Sequence, residues 1–211
     1  GVRWNEIGYF SRHHKQYVMA PQRSGLYYFH ARNESGEFFS FPWVVAPAKP
    51  SAPIAVLAAC TTWNAYNNFG GRSNYIHPVA LPDRPTVHAR SELARYTERD
   101  HVAYTVSEYA PLSFDRPELI NMVPEEEEAV HPIEGRAACH VAPAEWRLLA
   151  WLEREAFRYD LYADVQLHFG EIDLSAYRVV ILPPHPEYFS WSMYEQLKNW
   201  VHQRGGRLVY L

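Results

Sequence analysis

Cysteine is scarce in this chain of 211 residues, with only Cys60 and Cys139 present. Two thiols so far apart build neither a disulfide framework nor a zinc site, which needs closely spaced ligands. Basic charge is not in excess either. Twenty Lys and Arg face 24 Asp and Glu, the net charge is −4, and no basic block occurs. That pattern lacks the electrostatic footprint of a nucleic-acid binder. Long apolar runs are also missing. The cleanest, Pro53–Cys60 and Val179–Pro184, are strand-sized, far short of the roughly 18 residues of a membrane helix. No membrane partner is expected. No leader is legible before the first elements, so the expected compartment is the cytoplasm. What abounds is 15 Tyr, 7 Trp, 11 His and 16 Pro, in a chain that is 47% hydrophobic and 21% charged. This is a globular composition with Pro-rich, aromatic loops, and such loops tend to carry function.

The first fifty residues read as β structure. Leu26–Ala31 and Glu37–Val45 are strand-like and flank the turn Asn33-Glu34-Ser35-Gly36. Two strands bury no core alone, so residues 1–46 are expected to be the closing strands of an upstream β-sandwich-like module. A hairpin added to the following domain is the alternative. Residues 47–53 form a stiff Pro-rich linker, Pro47-Ala48-Lys49-Pro50-Ser51-Ala52-Pro53.

Beyond the linker the period changes. Ile54–Cys60 is continuously apolar, as a strand buried on both faces would be. Val102–Val106, Asp160–Gln166 and Arg178–Leu182 are further strands. One helix starts at Pro143 and places Leu148, Leu149, Leu152 and Ala156 on one stripe. A second starts at the capping pattern Ser192-Met193-Tyr194-Glu195, buries Met193, Leu197, Trp200 and Val201, and ends at Gly205-Gly206. Strands alternating with helices of this length predict right-handed βαβ units: a parallel α/β sheet with helices on both faces over 54–211. The proline-rich stretch 80–142, with the acidic run Glu125–Glu128, reads as loops above the sheet. Gly206–Leu211 has strand composition, and the domain is expected to continue beyond Leu211.

Open parallel sheets bind ligands outside the carboxyl ends of their strands. Two strands deliver polar groups there: Asn64, Tyr66, Asn67 and Asn68 after Ile54–Cys60, and His185 and Glu187 after Arg178–Leu182. A His and a Glu two residues apart in a Pro-stiffened loop lose little entropy on ordering.

Four segments in order carry a resemblance: TTWNAYNNFGGRSNY (Thr61–Tyr75), SFDRPELINM (Ser113–Met122), AEWRLLAWLEREAFRYDLYAD (Ala144–Asp164) and YRVVILPPHPEYFSWSMYEQLKNWVHQRGGRLVYL (Tyr177–Leu211). Over about residues 50–211 the chain resembles the large, or β, subunit of N,N-dimethylformamidase and its bacterial relatives. That family's catalytic module is similar to the class I glutamine amidotransferase fold, which implies a flavodoxin-like sheet. The resemblance implies an amide hydrolase with one Fe(III) held by two tyrosinates and one glutamate, hard donors suited to that ion. Carried over, Tyr66 matches the first tyrosine and Glu187 the glutamate. Tyr109 fits best as the second tyrosine, with Tyr104 and Tyr75 as alternatives. His185 and Asn67 are the candidate catalytic residues, His185 as an acid–base group beside the ligand. The expected partners are a small-molecule amide, a second copy of the chain and a small partner subunit.

Two other classes of function have some support in the sequence. In a thiol amidotransferase-like enzyme, Cys60 would be the nucleophile and His185 and Glu187 its supports. Yet no Gly-x-Cys-x-Gly elbow surrounds it, and the expected role is a small buried hydrophobe. In a non-catalytic carbohydrate- or polymer-binding module, Trp63, Phe69 and Trp191 would serve for stacking.

Overall fold

The computed structural model describes residues 17–67, 114, 118, 120–123 and 141–211. Val102–Val106, Tyr75, Tyr104, Tyr109, Cys139 and the acidic run lie outside the described residues. The chain divides into two compact units, Gly1–Met19 with Trp63–Met122 and Ala20–Thr62 with Val123–Leu211.

Among the described residues, the second unit holds two sheets. Strands β1 (Gly25–Arg32) and β2 (Phe38–Val45) form an antiparallel hairpin, registered from Gly25 opposite Val45 to Arg32 opposite Phe38. The turn between them is closed by Asn33, whose side chain accepts from Glu37 N–H at 2.9 Å, and by Gly36 at φ +83°. On one face Phe39, Phe41, Phe29 and Trp43 stack in a ladder with centroids 4.8–6.0 Å apart. Aromatic cross-strand pairs of this kind stabilise a hairpin that propensity alone leaves marginal.

The second sheet is parallel and has four strands in the order β4-β3-β5-β6: β3 (Ile54–Ala58), β4 (Tyr159–Ala163), β5 (Val179–Leu182) and β6 (Arg207–Tyr210). Ile54 pairs with both Tyr159 and Val179, so β3 and β5 start level. The helices of the described residues are α1 (Cys60–Tyr66), α2 (Ala142–Arg154), α3 (Asp164–His168) and α4 (Trp191–Arg204), with a 3₁₀ turn at Leu174–Ala176. One core packs Ala55, Leu57, Val180 and Leu182 against Leu167, Met193, Leu197 and Trp200. The alternate residues Val56, Ala58, Leu161 and Ile181 are buried as well. Both faces are therefore covered, which explains why β3 reads as an unbroken apolar run. The outer edge of β4 is met by Ser24, whose hydroxyl donates to Leu161 C=O at 3.2 Å and accepts from Leu161 N–H at 2.7 Å.

The expected α/β class holds: a parallel sheet with helices, preceded by an antiparallel hairpin. Several boundaries differ. β3 stops at Ala58, and Cys60–Tyr66, expected as strand end and loop, is helical. β4 stops at Ala163 because Asp164 opens a helix whose Gln166 side chain folds back to accept from Ala163 N–H at 3.1 Å. The cap of α4 is Ser190, not Ser192; its hydroxyl accepts from Met193 N–H at 3.2 Å. Gly205 ends α4 at φ +71°, as a C-terminal glycine should.

Candidate functional site

The rim at the carboxyl ends of β3, β4 and β5 is assembled from distant parts of the chain. After β5 the chain runs Pro183-Pro184-His185-Pro186-Glu187-Tyr188, with Pro183 and Pro186 buried and His185 and Glu187 exposed. Glu187 N–H donates to His185 C=O at 3.0 Å, closing a three-residue turn about Pro186. The same turn brings the side chains together, with His185 Nε2 3.0 Å from Glu187 Oε2. Where the carboxylate is ionised it only accepts, and Nε2 then carries the hydrogen of this contact. An exposed pair like this contributes little stability, about 0–1 kcal/mol. His185 sits at φ +70°, a left-handed conformation that costs a side-chain-bearing residue about 1 kcal/mol or more. Such strain persists only where the surroundings enforce it.

The surroundings are the turn from β3 into α1. Thr61 Oγ1 lies 2.8 Å from the Tyr188 carbonyl, and Tyr188 N–H donates to Thr62 Oγ1 at 3.1 Å. Consecutive threonines thus grip the residue after Glu187 from both sides. Two buried acids hold that turn in place. Glu145, on the first turn of α2 and 2% exposed, accepts from Ala59 N–H at 3.2 Å. Asp164, at the end of β4 and equally buried, meets the Thr61 N–H at 3.1 Å and also contacts its hydroxyl. Burial pushes the Asp164 carboxyl up to about 6, against the Thr61 hydrogen bonds that pull it down. Neither acid stands out in the sequence as a site residue. The one available signal was an acidic residue where a strand ends and a helix begins.

Tyr66 and Asn67, expected at this rim, belong to the other compact unit. Tyr66 is half-buried at the last turn of α1; Asn67 is fully buried, and its N–H donates to Trp63 C=O at 2.9 Å. Tyr109 lies outside the described residues. Among the described residues no three His, Cys, Asp or Glu side chains converge. A set drawn from Tyr66, Tyr109 and Glu187 has two phenol oxygens and does not require such a group. Cys60, expected inside a strand, is half-buried at the start of α1. His185 has a positive φ and Cys60 does not, unlike the sharp strand-to-helix elbow of a nucleophile.

A cavity of about 530 Å³ opens at the other, amino end of the strands, lined by Ser24, Lys49, Ser51, Arg158 and Asp160 among others. Its buried acid is committed to structure. Asp160 accepts from Ser51 N–H at 2.7 Å, Ser51 Oγ at 2.6 Å and Tyr177 OH at 2.9 Å. His185 and Glu187 lie at the opposite, carboxyl rim.

A parallel sheet whose carboxyl rim carries a His–Glu pair above buried acids places this chain among mixed α/β proteins. Within them it belongs to the N,N-dimethylformamidase beta subunit-like, C-terminal family, whose model matches residues 13–211. It is 27% identical over 202 residues to the N,N-dimethylformamidase beta subunit of Alcaligenes sp, covering 90% of this chain and 25% of that protein. It is 28% identical over 182 residues to the N,N-dimethylformamidase beta subunit of Paracoccus aminophilus, covering 81% and 23%. The chain spans about a quarter of the length of these relatives. Among the described residues no helix is long and apolar enough to cross a membrane.

Proposed function

We propose that this chain is part of an amide hydrolase similar to N,N-dimethylformamidase and carries residues at which a linear amide is cleaved. Family membership supports the reaction class. The observation that carries the site is the His185–Glu187 pair on its strained loop. In this reading Tyr66, Tyr109 and Glu187 would hold one ferric ion. Two phenolates and a carboxylate are hard oxygen donors whose three negative charges balance Fe³⁺, and the exposed Glu187 side chain suits a ligand open to substrate. When bound, the ion supplies Lewis acidity toward the amide carbonyl.

The chain's own groups supply the rest. The His185 imidazole takes a proton from the attacking water and returns it to the departing nitrogen, so the C–N bond breaks with acid and amine as products. Glu187 keeps the imidazole in the tautomer that this exchange needs. Asn67 has no open surface and acts by holding the Tyr66 end of α1. The chain order of the parallel strands, with β3 as the first, is 2-1-3-4, which supports a flavodoxin-like sheet of the glutamine amidotransferase kind. A partner subunit is also proposed, since the relatives are named as beta subunits.

Metal analysis and the visible spectrum of the full-length protein test the reading. Stoichiometric iron with a phenolate-to-iron charge-transfer band is expected. Tyr66→Phe keeps the ring and deletes the donor oxygen, so band and hydrolysis should vanish together. A colourless, iron-free protein that still hydrolyses amides would refute the metal assignment.

A further inference from the structure

The Thr61 hydroxyl faces two oxygens, the Tyr188 carbonyl at 2.8 Å and Asp164 Oδ2. A hydroxyl has one hydrogen and two lone pairs, so it cannot donate to both. With Asp164 ionised, one of the two contacts is oxygen against oxygen without a proton between them. With the acid protonated on Oδ2, the count closes. Asp164 then donates to Thr61 Oγ1, Thr61 donates to the Tyr188 carbonyl, and Asp164 Oδ1 still accepts from Thr61 N–H at 3.2 Å.

We propose that Asp164, in its acid form, is a positioning residue that locks the Pro183–Tyr188 loop through Thr61, and that ionisation turns the Thr61 hydroxyl hydrogen from the Tyr188 carbonyl to the carboxylate and loosens the loop. The consequence for chemistry rests on the reading above, in which His185 and Glu187 of that loop act on substrate and metal. Among the described residues, the groups hydrogen-bonded to Asp164 are the Thr61 hydroxyl and the N–H groups of Cys60, Thr61 and Val165, all neutral. Its raised acidity range, about 6, follows from burial and puts both forms within reach of mild pH. Another hold on the loop, Tyr188 N–H to Thr62 Oγ1, carries no titratable group. The loop should therefore loosen on ionisation rather than detach.

Hydrogen exchange of the loop amides, including Glu187 and Tyr188, tests this in the full-length protein without substrate, after correction for intrinsic exchange chemistry. One hydrogen bond gained corresponds to about threefold to tenfold slower exchange at about pH 5 than at about pH 8. Asp164→Asn keeps both bonds, its amide donating to Thr61 Oγ1, and should be slow at both pH values. Thr61→Ser should behave as the native protein, and Thr61→Val should be fast at both. A native loop whose exchange is equal at the two pH values overturns the proposal, as does an Asp164→Asn protein that retains the native pH response. Iron is assayed on the same samples. A responsive loop without iron supports the positioning role while removing the metal reading; bound iron with an unresponsive loop does the reverse.

Discussion

Replacing Asp164 with Asn should change how stability depends on pH, and the magnitude follows from the acid's burial. Its carboxyl ordinarily titrates near 3.8, but in the folded chain it is pushed up to about 6. Between those values the folded protein holds a proton that the unfolded chain has released. Stability must therefore fall as pH rises through this window, since it falls wherever the native state binds more protons. At about 1.36 kcal/mol per pH unit, the loss approaches 3 kcal/mol and is complete above about pH 7. Below about pH 4 both states are protonated and the penalty is absent. Asn has no proton to lose, so its variant lacks this slope. Urea unfolding of both proteins across about pH 4 to 7, with equal m-values as a control, isolates the term because the other carboxyls cancel in the difference. The Asn variant should gain on the native protein by about 3 kcal/mol as pH rises. A difference independent of pH would refute the claim that burial dominates at this acid. A difference of opposite sign would mean that the Thr61 hydrogen bonds outweigh burial and the ion is the favoured form.

Further expectations concern the same rim and its support. His185 adopts φ +70°, so His185→Gly should be more stable than His185→Ala by about 1 kcal/mol in chemical denaturation; equal stability would show that the backbone is not strained. A Cβ on Gly206 would lie 2.2 Å from the buried Trp200 ring, so Gly206→Ala should cost about 1–3 kcal/mol and lower the thermal midpoint. Cys60→Ser should leave any amidase activity within about tenfold, roughly 1.4 kcal/mol of barrier, whereas loss by orders of magnitude would revive a thiol mechanism.

The elements that could be read in advance are those whose signal is local. The unbroken apolar run at Ala55–Ala58 gave a doubly covered strand, and Gly205 gave the end of α4. The misread boundaries depend on side chains whose partners lie elsewhere. Ser192 has the better capping pattern with Glu195, yet its hydroxyl donates to His168 C=O at 2.9 Å, and Ser190 takes the cap. Asp164 to Gln166 looked like the tail of a strand, until Gln166 turned back on Ala163. Periodicity sees neither event, because each replaces a backbone hydrogen bond with one from a side chain.

The candidate site divides along the same line. His185 and Glu187 were legible because they are two residues apart in a Pro-stiffened loop that follows a strand. Glu145 and Asp164 were not, since their contacts reach across 86 and 103 residues of chain and they are buried. The difference has a physical origin. A group that meets substrate must be exposed, so it sits on a loop. A group that fixes the loop must be shielded, so it comes from the ends of core elements and is placed by the fold. A left-handed His185 could not hold its conformation on an untethered loop, because about 1 kcal/mol of strain would relax it. The two-threonine grip on Tyr188 tethers the loop three residues further along. The buried acids hold the β3–α1 turn that supplies the grip, so the rim chemistry depends on carboxyls that never face solvent.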